Sequence, residues 1–233
     1  MHYLCTVFLH SLITNQMKKY LLFISIAIVF ASCSSKQPKF ELEVVIKNNA
    51  SLLNKKLVVT EMLDASILYT DTFKIKKDQF LLEIPYHGKA LLFISILQSN
   101  VDEIMMVAEE GKVELNIDGT KTSVGGTLLN DRMQAFKNQG DSVAQLFKQI
   151  DKEYEILYND PKSTPKMKEE LRERRTQALT ENTDRIVAFI KENVDNPVGE
   201  YYFRNNYVRY TYQRKMELSS FATDKLKKEF GIK

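Results

Sequence analysis

Few side chains in this 233-residue sequence are suited to acid–base chemistry. His87 lies in a Pro-Tyr-His-Gly stretch, and histidine changes charge near neutral pH, which makes it a candidate proton shuttle. The adjacent pairs Asp102-Glu103 and Glu109-Glu110 are candidate carboxylates for glycoside hydrolysis. Neighbouring residues of a strand point to opposite faces, so neither pair converges by itself. We therefore interpret His87 as a solvated turn residue and the acids as edge and turn charges.

A glycine-rich turn, Gly125-Gly126-Thr127, precedes the first helical pattern of the chain. The N-terminus of a helix attracts anions, so this turn is a candidate anion site. It lacks the longer glycine spacing of dinucleotide-binding and phosphate-binding loops. We interpret it as a tight strand-to-helix turn in which Thr127 caps the helix.

Aromatic and arginine side chains alternate between residues 201 and 214, a composition typical of binding surfaces. The candidate partner surface consists of Tyr201, Tyr202, Arg204, Tyr207, Arg209, Tyr210 and Arg214. A second interpretation stays open, in which the helix packs against the sheet through its aromatic residues while the arginines stay solvated. The packing residues would then be Tyr202, Phe203, Tyr207 and Tyr210.

Cys33 follows a pattern that is typical of secreted proteins. Met17-Lys18-Lys19 supplies a positive start, residues 20–30 an apolar core, and Ala31-Ser32 the small residues before a cleavage point. A cysteine directly after this pattern resembles the bacterial lipobox, in which the thiol takes a diacylglycerol and becomes the new N-terminus. The resemblance implies a signal peptide over residues 1–32, with Met17 a more natural start than Met1, and a lipidated tether over residues 33–39.

The predicted anchor is lipid and not a spanning helix. The apolar run 20–31 is far shorter than the roughly 20 residues that a spanning helix needs, whereas two or more acyl chains anchor a protein stably. Ser34 is not the aspartate associated with inner-membrane retention in some lipoproteins, and residues 35–39 lack the acidic cluster that resembles a surface-export signal. We expect a lipoprotein of the cell envelope that faces the periplasm, on the outer membrane rather than the inner.

Cleavage before Cys33 would exclude several classes of function. It removes Cys5, His2 and His10, which leaves no free thiol and His87 as the last histidine. Cysteine nucleophiles, disulfide exchange and multi-histidine metal sites are then excluded, and we expect neither a metal nor a cofactor. The loss of two lysines lowers the formal net charge from +3 to +1, so the charge gives no reason to expect nucleic-acid binding.

The period of the hydrophobic pattern is that of strands over residues 40–126. Apolar and polar residues alternate over 40–47, and the nearly continuous apolar run 89–97 predicts a central strand covered on both faces. Runs at 103–108 and 112–117 flank Glu109-Glu110-Gly111, which predicts a hairpin. Short strands without intervening helices predict an antiparallel β-sandwich or partial barrel.

The period becomes helical over residues 127–233, so we predict an α+β fold. One apolar stripe runs along a long helix through Met133, Phe136, Gly140, Val143, Phe147, Ile150, Tyr154 and Leu157. After a break at 159–165, Thr164-Pro165 starts a second helix that completes a helical hairpin. Its predicted buried face carries Leu171, Leu179, Ile186, Ile190 and Val194. Asn196-Pro197 starts a shorter aromatic helix, and a last helix is predicted from about residue 217 to 230, capped by Gly231.

Four short motifs carry a resemblance to a known family. They are residues 40–47, residues 110–115, residues 124–130 and Asn196-Pro197-Val198-Gly199. Over roughly residues 38 to 215 the layout resembles the β-rich domain of unknown function that precedes thioredoxin-like domains in envelope lipoproteins of gut-type anaerobic bacteria. Complete members continue into a domain with a Trp-Cys-x-x-Cys active site. This sequence has no tryptophan and no such cysteine pair, so the thiol–disulfide activity of the family is not implied.

Three functional hypotheses remain. The first is a non-catalytic, lipid-anchored binding or accessory module of the periplasm, whose partners are the membrane and another envelope protein. The second is the accessory half of a split thiol–disulfide system, with the thioredoxin-like domain supplied by another chain. The third, a carboxylate-based hydrolase, requires acidic residues from separate strands to meet in a cleft.

Overall fold

Eight strands form two four-stranded sheets that enclose one apolar core. The computed structural model describes residues 39–63 and 66–233, so the predicted signal peptide and Cys33 lie outside the described residues. The first sheet has the order β4-β1-β7-β8, with β1 (Lys39–Lys47), β4 (Gln79–Pro85), β7 (Gly111–Asp118) and β8 (Lys121–Gly125). The second has the order β3-β2-β5-β6, with β2 (Lys56–Leu63), β3 (Ser66–Lys74), β5 (Ala90–Ile96) and β6 (Ile104–Ala108). The predicted sandwich-like domain is confirmed.

The first sheet has one dry face and one wet face, as its sequence alternation requires. Phe40, Leu42 and Val44 of β1 are fully buried between the sheets. The intervening residue Glu43 points outward and forms an ion pair with Lys112 of β7 (2.6 Å). A register shift of one residue would move these apolar side chains into water, so the alternation fixes the pairing.

The strands are mostly antiparallel, but β1 and β7 run parallel. The parallel pair arises because the chain changes sheet between β6, which pairs with β5, and β7, which pairs with β1. The hairpin predicted at Glu109-Glu110-Gly111 is therefore wrong, since these residues connect two different sheets. Gly111 has a φ of 118°, which suits glycine at so short a connection.

Helices pack over β5 and β6 on the outer face of the second sheet and form a third layer. They are α1 (Leu128–Asn159), α2 (Pro165–Asn193), α3 (Pro197–Tyr207), α4 (Tyr212–Ser220) and α5 (Asp224–Phe230). Leu91 of β5 and Val107 of β6 are buried on this outer face. The prediction that β5 is a central strand with both faces covered is confirmed, because β5 lies between β2 and β6.

The helical hairpin of α1 and α2 is confirmed, with one error in its buried face. Thr164 caps α2 by accepting a hydrogen bond from the Met167 N–H (3.3 Å). Leu179 is exposed, and the smaller Ala178 lies at the contact between the helices instead. None of the helices in residues 39–63 and 66–233 is long and apolar enough to cross a membrane.

The predicted last helix is two helices, α4 and α5. Thr223 starts α5 by accepting from the Leu226 N–H (3.4 Å), and Phe221 ends α4. A threonine cap inside a helical pattern thus marks a boundary that apolar spacing does not reveal. The cap predicted at Gly231 is confirmed, since its φ of 65° is left-handed.

The first two turns of α1 bind the free edges of both sheets. At the β6 edge, the buried Asn130 amide donates to the Val107 carbonyl (2.9 Å) and accepts from the Val107 N–H (2.9 Å). At the β8 edge, the Gln134 side-chain oxygen accepts from the Val124 N–H (2.8 Å). Edge groups left open would be available for pairing with other chains. One helix start therefore closes the same side of both sheets.

The turn into α1 is tight, as predicted, but Thr127 does not cap a backbone N–H. Its hydroxyl accepts from the Asn130 amide (2.7 Å). The buried Glu109 carboxylate instead accepts from the Leu129 N–H (2.8 Å), where the positive end of the helix dipole favours a negative charge. Glu109 thus occupies the position that an anion would take. Gly126 completes the turn with a φ of 92°.

We expect Asn130→Ala to lower the free energy of unfolding by about 2–4 kcal/mol, because it leaves the N–H and carbonyl of Val107 without partners. Urea denaturation measures the change. Asn159→Ala is the matched control, since its exposed amide bonds only the Glu155 carbonyl and its loss should cost less than about 0.5 kcal/mol. Equal losses for the two variants would contradict the role of Asn130.

Candidate functional site

Helix α3 is held against the end of α2 by a cap and a glycine. The Asn196 side chain accepts from the N–H groups of Val198 (3.0 Å) and Gly199 (3.3 Å), and Pro197 occupies the first helical position. A Cβ at Gly199 would collide with the carbonyl of Asn193, so only glycine lets the two helices approach this closely. This junction places α3 across the outer face of β5.

A hollow of about 410 Å³ lies between α3 and the outer face of the second sheet. Met62, Leu91 and Phe93 contribute an apolar floor from the strands. Pro197 and Tyr201 contribute apolar surface from α3, and the rings of Phe93 and Tyr201 lie 6.0 Å apart. Such a floor suits an apolar ligand surface.

Three charges on the rim of this hollow, Glu200, Arg204 and Lys225, are already paired. Glu200 accepts from Arg204 (3.2 Å) and from Lys225 of α5 (2.8 Å), and Arg204 also binds Glu229 (2.9 Å). Burial opposes the charge of Arg204, but its hydrogen bonds and its attraction to Glu229 and Glu200 outweigh this, so its pKa is raised. The network fixes α5 against α3 and keeps the rim rigid.

A second hollow of about 410 Å³ continues from the first on the other side of Tyr201. The two share Phe93, Tyr201 and Asn205, and the second adds Glu103 and Arg209 at its border. We call the two hollows together the α3 groove. Tyr201 stands at its middle.

The structure divides the seven predicted partner-surface residues into two groups. Tyr201, Tyr202, Arg204 and Arg209 line the α3 groove. Arg214 lies outside it and pairs with Asp184 and Glu217. The arginines at 204 and 214 are therefore engaged in ion pairs.

Tyr202, Tyr207 and Tyr210 pack inside the helical layer. The ring of Tyr202 contacts Phe136 and Phe189 edge-on, with centroids 5.2 and 5.3 Å away. Tyr207 stacks on Phe203 at 5.2 Å. Burial raises the pKa of Tyr210, and its buried hydroxyl has no hydrogen-bond partner among residues 39–63 and 66–233. The packing interpretation is therefore right that Tyr202, Phe203, Tyr207 and Tyr210 are packing residues, but they pack against other helices and not against the sheet.

A buried carboxylate contacts His87, the residue that we predict from the sequence to be a solvated turn residue. Glu61 lies on the inner face of β2 in line with Leu57 and Val59 and is only 1% exposed. Its Oε2 lies 3.0 Å from His87 Nδ1, whereas Oε1 has no partner in the part of the chain that the structure describes. The alternation of β2 is the signal that could have identified Glu61 as buried.

Tyr69 of β3 borders this pair. Its ring centroid lies 6.4 Å from that of His87, and its hydroxyl donates to Asp71 (2.9 Å). Burial, and then the neighbouring Asp71, raise the pKa of Tyr69 to about 12. The carboxylate of Glu61 orients the imidazole, whose side chain is 46% exposed.

The two acidic pairs that were candidates for a hydrolase site, Asp102-Glu103 and Glu109-Glu110, do not come together in one cleft. Glu103 accepts from Ser95 (3.1 Å) at the start of β6, whereas Glu109 caps α1 beyond the end of that strand. Asp102 and Glu110 are exposed. The described residues also contain no group of three histidine, cysteine or acidic side chains placed to hold a metal ion.

We expect His87→Ala to lower the free energy of unfolding by about 1–3 kcal/mol, the cost of a buried polar group left without a partner. The double variant Glu61→Met/His87→Ala should regain most of this loss, because an apolar side chain of similar volume suits the core. Urea denaturation of both variants measures the difference. A double variant no more stable than His87→Ala would show that Glu61 is not the source of the loss.

Comparison of the chain with protein-family models, with curated proteins and with solved structures found no significant match. The resemblance to the lipoprotein domain that precedes thioredoxin-like domains therefore stays a prediction. A function has to rest on the residues of the α3 groove and on the pattern around Cys33.

Proposed function

We propose that this protein is a lipid-anchored, non-catalytic binding module of the bacterial cell envelope, facing the periplasm, with the α3 groove as its binding surface. The observation that carries the proposal is the groove itself, an apolar floor whose border includes the paired charges Glu200, Arg204 and Lys225. The anchor is supported by the signal-peptide pattern that ends at Cys33.

The groove suits a ligand that has an apolar face and a polar edge. Phe93 and Tyr201 offer rigid aromatic surface at its centre, where anchoring contacts in interfaces concentrate. Around them, Asn205 and Arg209 offer hydrogen-bonding groups at the border. Glu200 and Arg204 on the rim already form an ion pair. A ligand would therefore gain contacts without the free-energy cost of removing an unpaired charge from water.

We expect Cys33→Ser to move the protein from the membrane fraction to the soluble periplasmic fraction. The reason is that serine cannot form the thioether that would carry the lipid. Cys5→Ser is the matched control and should leave the protein in the membrane fraction, since Cys5 lies within the predicted signal peptide. Cell fractionation followed by immunoblotting measures both variants. Membrane retention of the Cys33→Ser protein would contradict the anchor.

We expect a photo-crosslinking benzoylphenylalanine in place of Tyr201 to form a specific adduct in intact cells. The same residue in place of Tyr212, which is more exposed but lies outside the groove, is the control. Phe93→Ser should reduce the adduct at position 201, because Phe93 contributes to the floor of the groove opposite Tyr201. Equal adducts at positions 201 and 212, or none at 201, would contradict a binding role for the groove.

A further inference from the structure

One end of the sandwich is defined by the point at which the tether joins it. Lys39 begins β1 and pairs with Pro85 at the end of β4. Phe40 pairs with Gly111 at the start of β7, and only four residues connect Pro85 to Ala90 of the second sheet. We call this the anchor end. The opposite end carries the connections after β1 and after β3.

The β2–β3 connection lies at the anchor end too. Met62 of β2 pairs with Leu91 near the start of β5 and with Ile67 near the start of β3. The end of β2 and the start of β3 therefore share an end with Lys39. β3 is an edge strand of its sheet.

The start of β3 exposes two aliphatic side chains. Ile67 is 69% exposed and Leu68 is 50% exposed. The pairing register of β2 and β3 shifts here, because Glu61 pairs with Tyr69 but Met62 pairs with Ile67, so Leu68 is the extra residue of a bulge. Single exposed leucines are common, but an adjacent apolar pair on an edge strand is usually covered.

The length of the tether indicates what covers Ile67 and Leu68. The five residues 34–38 separate Cys33 from Lys39, and this stretch can span at most about 20 Å. A lipid on Cys33 would hold the anchor end within that distance of the bilayer. β1 has nine residues, so the opposite end would stand about 30 Å further away.

From this arrangement we infer that Ile67 and Leu68 contact the surface of the bilayer in which Cys33 is anchored. The inference rests on the lipid anchor of the proposed function. The tether supplies a high local concentration of membrane, so a contact of two aliphatic side chains is enough to orient the domain. The domain would then stand on its anchor end.

The lipidated protein offers a clean test, because Cys33 would be modified and Cys5 removed. Ile67→Cys therefore gives a single thiol for a fluorescent label, and Lys76→Cys gives a matched one at the opposite end. Each labelled protein is reconstituted in vesicles of phosphatidylethanolamine and phosphatidylglycerol that contain lipids brominated in the acyl chains. Bromine quenches only a label that reaches the hydrocarbon. We expect loss of fluorescence at position 67 and none at position 76.

Flotation of the same vesicles separates the two proposals. Protein that floats with its label at 67 unquenched, or with both labels quenched equally, overturns the contact and leaves the anchor intact. If the label at position 67 is shielded from water but not quenched by bromine, a second copy of the protein covers β3, and this result also overturns the contact. Wild-type protein that fails to float overturns the anchor together with the contact. Because Ile67 is exposed, its variant should fold, and circular dichroism verifies this.

Discussion

The structure depends on how the first two turns of α1 close the sandwich. Both sheets end on the same side in an edge strand, β6 in one and β8 in the other. Asn130 satisfies the edge of β6 through two hydrogen bonds, and Gln134 satisfies the edge of β8 through one. The carboxylate of Glu109, on the connection between the sheets, neutralises the start of the same helix. One helix start thus fixes the position of both sheets relative to the helical layer.

That constraint also positions the candidate site. Because α1 is fixed at the sheet edges, α2 returns along it, and the junction at Asn196 and Gly199 turns the chain across β5 as α3. The rings of Phe136 on α1, Phe189 on α2 and Tyr202 on α3 meet in one cluster that holds the three helices together. Tyr201, one residue before Tyr202, then faces the strands. The position of the groove therefore follows from the packing of Tyr202 against Phe136 and Phe189.

Local signals in the sequence predicted most of the fold. The alternation in β1, the caps at Thr164 and Asn196 and the glycine at 231 each act within a few residues, so they are visible without tertiary context. The turn from β6 to β7 was misassigned because strand pairing is set by distant partners, and a short connection looks the same within a sheet and between sheets. The division of the residue 201–214 segment into packing and groove residues depends on the same long-range contacts, whereas the buried position of Glu61 follows from the alternation of β2.

The lipid on Cys33 is the claim on which both the proposed anchoring in the envelope and the membrane contact depend. The most direct measurement is the intact mass of the protein extracted from the envelope of cells that produce it, with fragmentation of its N-terminal peptide. The account predicts a chain that begins at Cys33 and carries a diacylglycerol thioether. A chain that still contains residues 1–32, or an unmodified Cys33 at the N-terminus, would contradict it.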